Sequence, residues 1–552
     1  MEISKLHLSI LMAIAIMAAC TDEPLPVQLA DQQQVEAIEQ PEGMMRLGPQ
    51  LANPYALSNM QQAYANITGA KAELQPTHLY VRFLPRDEFE LQSLRRDTTL
   101  ELFDFPLDHE IVGSGTHYHD PELPADAITW QYCAVPANYA FPESIHYEVL
   151  EQLFLPEVLD GAKSDLADRL DDEALRLAGY AVEGSIDGSK ARKRFKPSGR
   201  ITVYDNTLGQ SIGLQGARVV ARSWFTTKHA FTDANGDFLI DHTFKGHCNY
   251  WIKWERADYD IRSGNWGQAY YNGPRLDGRW GLSIGHGGMS WVYAHIHRAA
   301  YTYYYQHSRW GIKSPPLDGK LLKQRVHIGA MDKAGRAHFY DFNKFFTTPQ
   351  IKVYRYDKDN IEQRAIDLFA TTIHELAHAS HWEMGYSYGQ YAVDYVFRKA
   401  IIPESWASCV EYVVTNDIYT GSLNFKHWSS WDYKKYSDLQ SITISDCKEY
   451  GYTPLFIDCI DEHNQRSIKG ELYPIDNVSG YSLAQIENVL FWSYQQLSPT
   501  AAIDPIGVSD PIGLIYNSFG LRVIRNNLKT MYNNPTSGYV DELFDNYLEK
   551  EK

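Results

Sequence analysis

His374 and His378 stand four residues apart, and Glu375 follows the first of them directly. On a helix this spacing puts both imidazoles on one face, where their nitrogens can grip a single metal ion. Glu375 falls about a third of a turn away. From there its carboxylate can take the proton of a water molecule instead of ligating the metal. His381 shares the face but lacks the reach. It stands about 10.5 Å along the axis from His374, whereas ligand atoms on one ion lie within roughly 3.5 Å of one another. His381 is therefore expected to be buried or to support a ligand, and a third ligand must come from elsewhere in the chain.

These groups need two helices to position them. Residues 361–382 fit one amphipathic helix, with Ile366, Phe369, Ala370, Ile373 and Ala377 as its buried stripe. Pro403, a natural helix opener, begins a second helix that carries Glu404 and, on the same face, Glu411.

His374-Glu375-Leu376-Ala377-His378 is the H-E-x-x-H signature, and the segment resembles the metal helix of zincin metallopeptidases. Metzincins have Gly and His where this chain has His381 and Met384, so that branch is excluded. Glu404-Ser405-Trp406-Ala407 is similar to the gluzincin E-x-x-A pattern. The resemblance implies zinc as cofactor, with His374, His378 and Glu404 as its ligands and Glu375 as general base in peptide-bond hydrolysis. Glu411 is the rival third ligand. Gluzincins often carry an Asp four residues after the ligand Glu to support a metal-bound His; Ser408 stands there, which leaves that support open. Tyr386, Tyr388, Tyr391, Tyr395 and Tyr412 are candidates to stabilise an oxyanion. Enhancin-type mucin-degrading enzymes share the motif but have Gly at the position of Ala377.

The chain has 552 residues, 38 of them Tyr and 13 Trp, and a formal net charge of −18. That length exceeds one core and points to several domains. The charge argues against nucleic acid or an anionic membrane surface as partner. Lys5, an apolar run from Leu6 to Met17, and Met17-Ala18-Ala19 make residues 1–19 a signal peptide. Cys20 after the small residues resembles a bacterial lipobox, which implies lipidation of Cys20. Thr21-Asp22-Glu23 resembles the acidic stretch of surface-exported lipoproteins. The expected location is the outer membrane, facing the surface or the periplasm. An exported protein can form disulfides, and Cys447 with Cys459 is the expected pair.

The expected fold is multidomain α+β. Residues 20–75 form a lipidated tether with a reach of about 40 Å. Residues 76–195 form a small α+β domain and connector, with strands at 77–83 and 98–103 and a helix at 85–96. His117, His119 and Asp120 lie there in a polar loop. Residues 196–262 form a β-sandwich whose G-x-I-x-V, G-A-x-V and T-D-x-x-G-x-F segments resemble the carboxypeptidase regulatory-like (transthyretin-like) domain. Residues 263–420 carry the zincin-like catalytic part, with a glycine turn at 285–288, a helix at 290–307 and strands at 323–330 and 350–356; which strand would bind substrate backbone stays open. Residues 421–552 form a mostly helical C-terminal part, with helices at 482–496 and 521–532. The expected activity is zinc-dependent cleavage of extracellular or periplasmic proteins or glycoproteins. The competing class is a non-catalytic surface lipoprotein that binds glycan or protein on a vestigial zincin fold. The intact Glu375 favours catalysis.

Overall fold

The computed structural model describes residues 41–71, 73–156, 165–180, 192–265, 267–315, 325–339, 349–384, 401–420, 439–449, 452–496 and 513–547. The expected signal peptide over residues 1–19 and the expected lipidation site Cys20 lie outside the described residues. The architecture is mixed α+β, with sandwich-like sheets and a helical C-terminal region.

Order begins earlier than the expected tether allows. β1 (Arg46–Gln50) pairs antiparallel with β3 (His109–Gly113), and β2 (His78–Leu84) lies between β4 (Gln131–Pro136) and β5 (His146–Leu153). α1 (Leu57–Thr68) packs against α3 (Asp165–Leu177), and α2 (Glu88–Arg96) follows β2. The tether expected over 20–75 therefore does not extend to 75. The cause is apolar: Met60 and Ala63, three apart on one helix face, close over Leu170 and Ala174. The strand expected at 98–103 reduces to one bridge, Phe103 to Tyr132. Phe103 is buried in one core while Leu100 and Leu102 cover another, so the segment cannot run on as a strand.

The next strands have apolar side chains on both sides and need cover on both faces. β6 (Arg194–Phe195) pairs with β12 (Phe244–Lys245). β7 (Ser198–Asp205) lies between β11 (Asp237–Leu239) and β17 (Trp280–Ile284), with β8 (Gln210–Gly213) also on β7. A second sheet runs in the order β10 (Thr226–Phe231), β9 (Arg218–Ser223), β13 (Cys248–Lys253), β16 (Tyr270–Leu276). Val219, Ala221, Tyr250 and Ile252 face one core, and Val220 and Trp251 face the other. Alternate residues of a strand point to opposite faces, so a sheet covered twice reads as an unbroken apolar run. The turn at 232–236 closes on Gly236, whose φ is +83° and where a Cβ would lie 1.9 Å from the Ile201 carbonyl oxygen. Only glycine fits both demands.

The sandwich boundary expected at 262 is corrected. β16 and β17 lie beyond it, and between β13 and β16 the chain leaves the sandwich. β14 (Tyr259–Ser263) and β15 (Gly267–Gln268) join a five-stranded sheet with β18 (Val326–Ala334), β19 (His338–Phe339) and β20 (Ile351–Tyr356), in the order β15-β14-β18-β20-β19. β14, β18 and β20 are parallel. Tyr259 to Arg262 are all buried, and a strand with no solvent face belongs inside a sheet. The sandwich and the five-stranded sheet are thus interleaved in sequence and share one core.

α4 (Met289–Gln306) and α5 (Ala365–Met384) cover the sheet, and α6 (Ile401–Thr420) packs along α5. Beyond residue 420 the described residues hold α7 (Ile444–Glu449), α8 (Leu455–Asp458), α9 (Gln465–Lys469), α10 (Leu483–Gln496), α11 (Gly513–Thr530) and α12 (Val540–Tyr547), and no strand. Cys447 and Cys459 are buried free thiols, not the expected disulfide. The Cys459 thiol instead donates to the Leu455 carbonyl at 3.3 Å, within its own turn. Among the described residues no helix is long and apolar enough to cross a membrane.

Buried charges brace α2 against β14 and β18. Arg262 donates to Glu88 at 2.8 Å, Arg95 lies 2.5 Å from Asp260, and His327 Nδ1 lies 2.5 Å from the other Asp260 oxygen. Burial pushes the Glu88 and Asp260 carboxyls up, but Arg262 and His327 outweigh it and hold both well below the carboxylate range. A carboxyl depressed by folding stabilises fully above its unfolded value and loses that contribution as pH falls through the folded one. Burial and Arg262 push His327 down, yet Asp260 and Glu88 raise it on balance, so its contribution is present at low pH and lost as pH rises through its folded value. Thermal stability is therefore expected to fall as pH drops below about 4. Asp260→Asn should cost about 3–5 kcal/mol in urea unfolding, because it leaves buried cations unpaired. An unchanged midpoint in Asp260→Asn would overturn this account.

Candidate metal centre

The helix expected over 361–382 is α5, and Ile366, Phe369, Ala370, Ile373 and Ala377 are buried on it as expected. Its other face is buried as well. His374, Glu375, His378 and His381 each expose 4% of their surface or less. Cover comes from α6, which is buried almost throughout and holds Pro403 in its first turn, where a missing N–H costs nothing. Glu404, Ser408 and Glu411 of α6 are all buried.

Three side-chain atoms converge between the two helices. His374 Nε2 and His378 Nε2 lie 3.0 Å apart, and each is 3.2 Å from Glu404 Oε2. Tetrahedral coordination with bonds of about 2.0–2.1 Å sets donor atoms about 3.3 Å apart. The cluster is therefore close to a ready donor set of two imidazoles and one carboxylate, a combination that suits zinc and its neighbours in the first transition row. Burial pushes the Glu404 carboxyl up, but the facing His378 and His374 hold it well below the usual range. It is a carboxylate with every reason to stay ionised.

Glu411 is absent from the converging set. Its Oε2 lies 2.9 Å from Nδ1 of His374, on the other side of the ring. A carboxylate only accepts, so Nδ1 carries the hydrogen and Nε2 turns its lone pair towards His378 and Glu404. A carboxylate behind a ligand imidazole fixes tautomer and orientation and raises the basicity of the ligand. Glu411, seven residues after Glu404, stands in that place behind the His374 ring. Ser408, four residues after Glu404, is buried, and its Oγ has no hydrogen-bond partner among the described residues.

His381 stands outside the donor set, as helix rise requires. Its Nε2 lies 2.9 Å from Tyr494 Oη of α10, and burial, with His378 nearby, pushes the imidazole down to about 3. Glu375 is buried on α5 beside His374 and His378 and contributes no atom to the convergence. Tyr412 is buried on α6; Tyr386, Tyr388, Tyr391 and Tyr395 lie outside the described residues. His117 and His119 form no cluster: His117 Nδ1 meets Ser263 Oγ at 3.1 Å, and His119 Nε2 meets the Ala127 carbonyl at 3.2 Å.

Two contacts had no sequence signal. Tyr452 stacks on His374 with ring centroids 5.8 Å apart and planes 30° apart. Thr453 Oγ1 meets Ser405 Oγ of α6 at 2.7 Å. A C-terminal loop therefore closes one side of the centre, and nothing in its local sequence points there. The role of Glu411 did leave a trace, since Glu404 and Glu411 lie seven apart, two turns along one helix face.

No family model, curated protein or solved structure matches the chain.

The arrangement separates the two glutamates by experiment. Glu404→Ala should abolish stoichiometric metal binding, since it removes a ligand. Glu411→Gln should retain the metal but bind it about 10–100-fold more weakly. Competition against a chromophoric chelator measures both. A larger loss in Glu411→Gln than in Glu404→Ala would exchange their roles.

Proposed function

We propose that this chain is an exported, lipid-anchored zinc endopeptidase of the gluzincin kind, cleaving extracellular or periplasmic proteins or glycoproteins. The observation that carries the proposal is the convergence of His374 Nε2, His378 Nε2 and Glu404 Oε2 within 3.2 Å of one another, with Glu411 behind the first imidazole. Zinc held there would supply a Lewis acid that polarises the scissile carbonyl and lowers the pKa of a water to about 7.

The chain's own residues then have distinct tasks. His374, His378 and Glu404 hold the ion. Glu411 keeps His374 in the ligating tautomer. Glu375 takes the proton of the attacking water and passes it to the leaving nitrogen.

The five-stranded sheet offers a place for substrate. β18 and β20, the two strands expected from sequence, each have neighbours on both sides, so neither has a free edge. β19 is the end strand, antiparallel to β20, and packs against α5. An extended peptide laid along such an edge gains backbone hydrogen bonds by strand addition. In this proposal the five-stranded sheet with α4, α5 and α6 supplies the zincin-like catalytic part. The preceding sandwich is a carboxypeptidase regulatory-like module, extended by β16 and β17. Cys20 carries the acyl anchor in the outer membrane, and the net charge of −18 suits no nucleic-acid partner.

Elemental analysis and proteolysis of a broad peptide library, on wild type and Glu375→Gln, test the proposal together. Expected are one zinc per chain in both proteins and loss of about 10²–10⁴-fold in cleavage rate in the variant. Zinc without cleavage in the wild type would favour the non-catalytic binding lipoprotein. A folded wild type without zinc would sink both.

A further inference from the structure

A second cluster of buried acids lies behind α6, away from the donor set. Asp458, Asp461 and Asp476 each bring one carboxylate oxygen within 4.8 Å of the other two, and all three residues are buried. They come from two pieces of chain: Asp458 and Asp461 from the end of α8 and the turn after it, and Asp476 from the loop between α9 and α10. Two ligands on opposite sides of a calcium ion, with bonds of about 2.4 Å, stand about 4.8 Å apart, so one ion can reach all three carboxylates.

Asp461 accepts from Gln440 Nε2 at 3.2 Å and from the His463 backbone N–H at 3.0 Å. Asp458 is held by neutral donors: Gln440 Nε2 at 2.9 Å, Gln465 Nε2 at 3.1 Å, and the Tyr547 hydroxyl. Asp476 Oδ1 accepts from the Val478 backbone N–H at 3.1 Å. No described basic side chain faces either carboxylate. Burial pushes both Asp458 and Asp476 up, and for Asp476 the charges of Asp458 and Asp461 add to it. Two buried like-charged carboxylates at this range resist joint ionisation unless something positive lies between them.

Three buried oxygens at or beside the cluster have no hydrogen-bond partner among the described residues. Asp476 Oδ2, Gln440 Oε1 and Gln465 Oε1 accept no hydrogen bond, although Asp476 exposes 4% and the two glutamines 1% each. Both glutamines already touch Asp458 through their amide nitrogens, so a rotation of the amide swings oxygen towards the cluster. A buried acceptor left unsatisfied costs about 1–3 kcal/mol, and a cation at the cluster would satisfy all three once the amides turn.

We propose that Asp458, Asp461 and Asp476, with the amide oxygens of Gln440 and Gln465, form a calcium site that clamps the C-terminal helices onto α6. The donors are all oxygen, which selects a hard cation over zinc. Magnesium keeps most of its waters and takes one or two carboxylates, whereas calcium accepts a larger, irregular oxygen shell. The ion would join α8, the loop at 476 and, through Tyr547 on Asp458, helix α12. α8 packs on α6 immediately after Tyr452 and Thr453, the residues that close the metal centre. Calcium would thus steady one wall of the centre without touching the reacting atoms.

The test uses the full folded chain, with zinc content as a separate readout. Wild type is dialysed against calcium or EGTA, then assayed for calcium by titration calorimetry and for thermal unfolding, with magnesium as control. Expected is one calcium per chain and a higher midpoint in calcium, since a ligand at a hundred times its Kd raises the folded-to-unfolded ratio about 100-fold. Asp476→Asn should lose the calcium response and keep its zinc. If the acids instead share protons, wild type will melt alike in calcium and EGTA, and Asp476→Asn will be as stable as wild type or more so. Either of those results overturns the calcium site, and the wild-type arm decides even if the variant fails to fold.

Discussion

Three atoms that each present a lone pair have to meet in a volume with almost no access to water. His374 Nε2, His378 Nε2 and Glu404 Oε2 lie 3.0–3.2 Å apart, and the residues that carry them expose 4% or less. Left alone such groups would separate and seek solvent, since an unpaired buried charge costs several kcal/mol. The framework holds them together by removing the alternative. Glu411 occupies the rear of the His374 ring, which prevents the ring from turning its N–H inward. Tyr452 lies across the face of that ring, and Tyr494 ties His381 one turn further along α5.

Those constraints work because α5 and α6 cannot move independently of the molecule. Both are buried on nearly every side, so the rest of the molecule packs around them. α5 is wedged between α4, α6 and the five-stranded sheet. That sheet shares its core with the sandwich because β14 and β15 leave the sandwich in mid-sequence and β16 and β17 return to it. The N-terminal part is joined in turn by the buried pairs of Glu88, Arg95, Asp260, Arg262 and His327. The centre therefore rests on a framework that runs from residue 88 to the C-terminal helices.

What could be read from sequence was local, and what escaped was long-range. The face shared by His374 and His378 follows from helix periodicity, and the exclusion of His381 follows from helix rise; both hold. The alternation in residues 199–204 and 216–222 identified β7 and β9, and the turn at 232–236 was legible from Gly236. The edges of the sandwich were not legible, because β14 departs to another sheet through pairing with β18, sixty-odd residues later. Met60 and Ala63 looked like part of a polar tether, since their partners Leu170 and Ala174 lie a hundred residues on. The disulfide assigned to Cys447 and Cys459 rested on spacing, and burial in the helical core gave both thiols another environment.

The choice between Glu404 and Glu411 shows where sequence reaches its limit and geometry takes over. Both lie on one face of α6, about 10.5 Å apart along its axis. Both reach the same imidazole, Glu404 at Nε2 and Glu411 at Nδ1. The two nitrogens point away from each other, so a carboxylate at Nδ1 cannot share a metal with one at Nε2. Glu404 alone also touches His378, at 3.2 Å, which identifies the side of the ring on which the donors converge. Each glutamate bends towards the ring from its own turn of α6, and together they hold its plane along the helix. Ser408 sits between them on the intervening turn. A carboxylate there would add a third negative charge to a pair already buried at 2% side-chain exposure. A small neutral residue at position 408 avoids that third charge, and the carboxylate behind the His374 ring stands one turn further along the helix, at Glu411.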